Sequence, residues 1–212
     1  MKTSILSFSF LLFITLNASG QSDKDAIKIL DKFSANATGA PSVSMKFNLV
    51  TINQVEKTND TLKGSVILSK DKYRIDLPDN IIWFNGDVSW SYLPAEKEVT
   101  INKADKKDNS FQNRPSSIFS MYKSGYKCRI IEQNTDSYII DLYPEDIKND
   151  IVRVRISIGK QVMNLKSLEY KKKDGIMVTL YVLDYDLKQK ISGDTFTYQS
   201  AKYKGVEVID LR

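Results

Sequence analysis

The stretch Ile81-Ile82-Trp83-Phe84-Asn85-Gly86-Asp87-Val88-Ser89-Trp90-Ser91-Tyr92-Leu93-Pro94 reads as two short apolar strands around an Asn-Gly turn. Asn-Gly between apolar runs is the strongest short-range hairpin signal, because both residues accept a positive φ. Strand patterns continue outward from it. Upstream, Met45, Phe47 and Leu49 alternate with polar residues, Gly64 to Lys70 forms a short run, and Tyr73, Ile75 and Leu77 alternate up to Pro78. Downstream, Glu98 to Asn102, Ser137 to Tyr143 and Val152 to Ile158 repeat the period of two. Lys166 to Lys171 and Ile176 to Tyr185 flank the turn Lys173-Asp174-Gly175, and Phe196 to Ser200 and Val206 to Leu211 read as the last two strands.

Two helices interrupt this pattern. Ser22 with Asp25 resembles a capping box, and Ala26, Ile29, Leu30 and Phe33 share a helical face before Ser34 to Pro41 ends it. Pro115-Ser116-Ser117 starts a second helix with Ile118, Phe119, Met121 and Tyr122, closed by Gly125. Lys103 to Arg114 reads as a solvated loop between strands. The expected fold is mostly β (α+β): a strongly curved antiparallel sheet of ten or more strands, with two helices covering its concave face. A long antiparallel sheet curls, and its hollow side invites a lidded apolar cavity.

The first twenty residues read as an export signal: Lys2, the apolar run Ile5 to Leu16, then small residues Ala18, Ser19 and Gly20, with cleavage expected before Gln21. Subtracting 20 from 212 leaves 192 residues, 21–212, the size of one domain, and removing Lys2 takes the net charge from +5 to +4. A periplasmic protein without a lipid anchor is expected, since the single cysteine, Cys128, lies far from the signal. That thiol has no partner for an internal disulfide and reads as a small core residue. The mixed, mildly basic charge does not fit a nucleic-acid binder.

Catalytic chemistry is hard to find. The sequence has no histidine, which removes the commonest general base and metal ligand. No Gly-rich phosphate loop is present. Asp184 and Asp186 flank Tyr185 like a paired-acid site but read as solvent-facing carboxylates of one strand, and Lys171-Lys172-Lys173 reads as a solvated hairpin tip or a contact for anionic lipid heads. No enzyme and no cofactor are expected. The aromatic side chains Trp83, Phe84, Trp90, Tyr92, Phe119 and Tyr122 are the positive signal, read equally as core packing or as the lining of an acyl-binding hollow.

The ordered set of motifs resembles the outer-membrane lipoprotein carrier (LolA-like) family. Asn85-Gly86-Asp87-Val88-Ser89-Trp90-Ser91-Tyr92-Leu93-Pro94 is similar to that family's Asp-Gly-x-x-x-Trp-x-Tyr-x-Pro hairpin, followed by Glu98-Val99-Thr100-Ile101. Gly64 through Tyr73-Arg74, Tyr138 to Pro144, Phe196-Thr197-Tyr198 and Gly205 to Asp210 resemble the family's other strands in the right order. The resemblance implies a half-open barrel that carries lipoprotein acyl chains from an inner-membrane ATP-driven exporter to an outer-membrane acceptor, as a monomer. The expected cavity lining is Met45, Phe47, Tyr73, Ile75, Trp83, Trp90 and Tyr92. Leu30, Phe33, Ile118, Phe119, Met121 and Tyr122 form the expected lid.

The family's lid latch is an arginine followed by Pro just before the aromatic-Arg pair. Here Ser69-Lys70-Asp71-Lys72 stands there without Pro, so the latch falls on Lys70 or Ser69. An ammonium is the weaker latch, lacking the planar guanidinium fork. Two other readings of the chain compete: a periplasmic lipid-responsive sensor domain, and a β-rich interaction protein with a filled core.

Overall fold

The computed structural model describes residues 23–104 and 114–212. The expected signal (1–20), the Ser22 cap and most of the 103–114 loop lie outside the described residues. Among those described, one α-helix, α1 (Lys24–Gly39), precedes twelve strands. These are β1 (Val43–Asn53), β2 (Thr58–Ser69), β3 (Lys72–Asp76), β4 (Ile81–Phe84), β5 (Val88–Leu93), β6 (Glu98–Lys103), β7 (Tyr126–Gln133), β8 (Ser137–Pro144), β9 (Ile151–Gly159), β10 (Leu165–Lys172), β11 (Ile176–Asp186) and β12 (Glu207–Asp210). Short 3₁₀ turns occupy Pro115–Phe119, Met121–Lys123 and Ser200–Lys202.

All twelve strands form one sheet in the order β12-β6-β5-β4-β3-β2-β1-β11-β10-β9-β8-β7, not closed into a barrel. Two antiparallel meanders, β1 to β6 and β7 to β11, are joined where β1 pairs with β11. The expected mostly-β sheet is therefore present, with a correction at one edge: β12 runs parallel to β6. Strands sit ~4.8 Å apart, so β3 and β9 would lie far apart in a flat sheet. Side chains of both nevertheless meet around one cavity, so the sheet curls. A register shift between Lys46 and Phe47 in the β1–β11 ladder adds local bend and twist.

Several elements differ from their sequence reading. The cap of α1 is Asp23, whose Oδ1 accepts from the backbone N–H of Asp25 (2.8 Å) and Ala26 (3.3 Å). The helix does not stop at Ser34 but runs to Gly39, because Ala26, Leu30, Phe33, Ser34 and Ala37 continue one buried face. Ala40 is extended, as the residue before Pro41 must be. The second helix is not α-helical but two 3₁₀ turns broken at Ser120. There Pro115 with Ile118, and Phe119 with Tyr122, bury at the i, i+3 spacing that 3₁₀ geometry eclipses. Phe196 to Ser200 is turn and not strand. The edge strand β7 has no clear sequence signal, since Tyr126-Lys127-Cys128-Arg129-Ile130-Ile131-Glu132 breaks strict alternation. At the quoted hairpin, Gly86 takes φ +102° and Asn85 Oδ1 accepts from the N–H of Asp87 and Val88.

The main core lies on the concave face. Val43, Met45, Val66, Leu68 and Tyr73 from one meander join Ile140, Leu142, Val154, Ile156 and Leu168 from the other, under Leu30, Phe33, Ile118 and Phe119. A second, smaller core lies on the convex face, where Trp83, Trp90, Val99 and Ile101 are covered by Tyr198, Tyr203 and Val206.

Candidate acyl-binding cavity

Strand pairing decides what faces the hollow. The ladder positions Phe47, Gly64 and Val182 lie on its face, and so do Val66, Ile75 and Ile82. Between them remains an apolar cavity of about 580 Å³, within the range that holds one small ligand. Met45, Phe47, Leu49, Leu62, Val66, Ile75, Leu77 and Ile82 line it from β1 to β4 and the turn after β3. Ile151, Leu168, Tyr170, Val178 and Leu180 line it from β9 to β11, and Pro115 and Ile118 close it. Among the described residues, Lys172 is the single charged side chain in this lining. Gly64 makes room: a Cβ there would fall 2.7 Å from both Phe47 Cζ and Leu77 Cδ2.

Of the seven side chains expected in the lining, Met45, Phe47 and Ile75 are there. Tyr73 is on the same face but borders a different, polar cavity, with its ring 5.1 Å from Phe84. Trp83, Trp90 and Tyr92 are on the opposite, convex face. Trp83 pairs with Arg74 and Trp90, and those positions alternate with the cavity-facing Ile82, Phe84, Ser89 and Ser91. Their burial comes from the chain's last segment: Trp83 meets Tyr198 and Tyr203 edge-on, each at 5.7 Å, and Arg74 lies over its ring at 5.5 Å. Leu62, Leu168, Tyr170, Val178 and Leu180 carry no sequence signal that singles them out. The alternation of the last four within β10 and β11 is legible, but the choice of face is not.

The six expected lid residues meet over the concave face. Leu30, Phe33, Ile118, Phe119 and Tyr122 are buried, and Met121 packs at their edge. The Phe33 and Phe119 rings stand 5.4 Å apart. Tyr122 donates from its hydroxyl to Asp31 Oδ1 at 2.6 Å, tying the second 3₁₀ turn to α1. Burial, helped by that carboxylate, pushes the Tyr122 phenol up to about 12. Asp23 N–H donates to the Cys128 carbonyl, fixing the start of α1 on β7. Burial also pushes the Cys128 thiol up to about 11, a small inert core group.

Lys70 occupies the two-residue β2–β3 turn at φ +54°, exposed and without an ion pair among the described residues. Its neighbour Ser69 makes the contact toward the lid: Oγ donates to the Pro41 carbonyl at 2.8 Å, just beyond the end of α1. Asp184 and Asp186 are exposed beside Lys46 and Ser44. Lys173 Nζ donates to the Ile147 carbonyl at 2.5 Å, tying the β10–β11 turn to the β8–β9 loop.

An open, curled sheet with a helical cover and an apolar hollow defines a binding scaffold. Residues 16–175 match the family described as outer membrane lipoprotein carrier protein LolA, and the chain belongs to that family. Among solved structures, it is similar to an uncharacterized conserved protein from Thermus thermophilus (TM-score 0.59, 11% identity, 88% of this chain and 99% of that one). It also matches a LolA superfamily protein from Nitrosomonas europaea (TM-score 0.42, 12% identity, 82% and 97%). A third match is the Mycobacterium tuberculosis lipoprotein LppX (TM-score 0.43, 11% identity, 80% and 100%). No curated protein matches the sequence.

Proposed function

We propose that this protein is a periplasmic, non-enzymatic carrier that shields lipoprotein acyl chains in the concave cavity and moves lipoproteins from the inner to the outer membrane. It takes cargo from an inner-membrane ATP-driven exporter and gives it to an outer-membrane acceptor. The observation that carries the reading is the 580 Å³ apolar hollow closed by Pro115 and Ile118, in a chain of the lipoprotein carrier family. Each buried methylene contributes ~0.8 kcal/mol, so full burial of long chains would trap the cargo. Ile118 of the lid stands in the lining of the hollow, and the free energy of displacing the lid offsets part of the burial gain and lowers net affinity to a releasable level. Ser69 to Pro41 and Tyr122 to Asp31 replace the charged latch. Both are single hydrogen bonds at the lid's edge, a weak closure suited to release.

Native mass spectrometry of the protein purified from its own periplasm without detergent tests the reading. The expected result is a bound lipoprotein or acylated peptide that detergent strips. A mass that stays empty after incubation with lipoprotein-loaded membranes overturns it.

A further inference from the structure

The apolar cavity has a covered end and an open end. On four adjacent strands the lining residues Met45, Val66, Leu168 and Leu180 are buried, whereas Leu49, Leu62, Tyr170 and Val178 on those same strands are half-buried. Each step from the first set to the second runs toward the β1–β2 and β10–β11 turns. The Pro115–Phe119 turn stands at the opposite end, where its Ser116 and the β2–β3 turn residue Asp71 border one polar cavity. Lys172 is the last residue of β10 and lies at the open end. Leu168, Tyr170 and Lys172 alternate onto the concave face, and a bulge in the β9–β10 ladder pairs Lys172 with Ile151 so that both line the cavity.

We infer that Lys172 fixes the direction of binding: the acyl chain enters tail first toward the Pro115–Phe119 turn, and an anionic group at its head, phosphate or carboxylate, pairs with the Lys172 ammonium at the open end. This inference rests on the acyl-binding reading above and extends it to the head. Glu56, Asp60, Glu145, Asp146, Asp150 and Asp174 also lie at this end of the sheet, yet Lys172 makes no ion pair among the described residues. Asp174 Oδ1 accepts from the N–H of Ile176, and Asp60 Oδ1 from that of Thr61. Asp60 alternates with Leu62 onto the concave face but stands three strands from β10, ~14 Å in a flat sheet. Glu169 shares β10 with Lys172 but faces the convex side, paired with Arg153. A lysine stem lies along apolar surface while its head reaches water, so the stem completes the lining and the charge stands at the rim. A chain inserted the other way would bury its polar head among Met45, Val66 and Leu168, a costly place for an unpaired polar group. An anion beside Lys172 gains a charge-assisted bond, about twice as strong as a neutral one.

Displacement of a bound fluorescent apolar probe by three single-chain amphiphiles of equal length tests this: a fatty acid, a lysophosphatidylglycerol and a neutral monoacylglycerol. The wild-type protein is expected to prefer the anionic ligands. Lys172→Met keeps an apolar stem and removes the charge; it should lose about fivefold in affinity for the anions with less than about twofold change for the neutral ligand. Lys172→Glu should act more strongly in the same direction. Preference for one anion alone identifies that group as the head, and equal preference for both identifies a general anion contact. Fatty acids carrying a nitroxide read the direction. A label beside the carboxylate should broaden the amide NMR signals of Lys172 and Val178, and a label at the methyl end those of Met45 and Val66. Equal affinity for all three amphiphiles in the wild type, an equal loss for all three in Lys172→Met, or the reversed broadening pattern overturns the inference and leaves the acyl cavity standing. Failure of the wild type to bind the probe or any amphiphile overturns the acyl-binding reading itself.

Discussion

Gly64 shows how much one missing methyl decides. The Phe47 ring and Leu77 occupy the space a Cβ would need, and both border the apolar cavity. Gly64→Val should drive the Phe47 ring into the hollow, cost about 1–3 kcal/mol as overpacking does, and weaken apolar-probe binding; unchanged probe affinity with an intact fold would refute this role for the glycine. Tyr122 gives a pH dependence with a definite sign. Its folded pKa is raised from 10.0 to about 12, so the unfolded chain loses the phenol proton first. Its contribution is fully present below pH ~10 and is lost as pH rises toward 12. Denaturant midpoints between pH 10 and 12 should therefore fall more steeply in the wild type than in Tyr122→Phe.

At the scale of elements, the lid and the C-terminal segment make opposite predictions. Phe119 is buried against Phe33 in the empty protein. Phe119→Ala should cost about 3–5 kcal/mol of stability. If closure of the lid competes with cargo, the same change should tighten acyl-probe binding, and weaker binding in titrations would count against a displaceable lid. The segment carrying Tyr198 and Tyr203 covers the convex face instead. Tyr203→Ala should expose Trp83 and shift its fluorescence to the red while leaving probe affinity unchanged, because Trp83 lies on the other side of the sheet from the cavity. A parallel loss of probe binding would return Trp83 to the lining.

At the scale of the whole molecule, the β1–β11 ladder holds the two meanders together. Met45 pairs with Tyr185 and Phe47 with Val182, and such non-local pairing must overcome loop-closure entropy before it contributes. A ligand bound in the hollow bridges both meanders and binds only the folded state. At 100 times its Kd it should add about 2.7 kcal/mol, a rise in Tm of roughly 5–10 °C for a chain of this size. A differential scanning experiment with a single-chain anionic amphiphile checks this, and an unmoved Tm would exclude specific loading.

Most strands, the hairpin turns and the buried faces of α1 and of 118–122 were legible in the sequence because they depend on local rules such as alternation on β9 and Asn-Gly at β4–β5. Face assignment was not legible on β4 and β5. Ile81-Ile82-Trp83-Phe84 is apolar on both sides, and Ser89-Trp90-Ser91-Tyr92 offers its aromatic side as the obvious interior. That side is buried, but under residues more than a hundred positions later, so the two tryptophans belong to a convex core and serines line the hollow. The sequence by itself determined the period of most strands, the hairpin turns, the amphipathic helix and the family. Only the tertiary structure decided which face each strand buries, because period-two alternation fixes two sides without naming them, and the choice is made by distant segments that cover one side or the other.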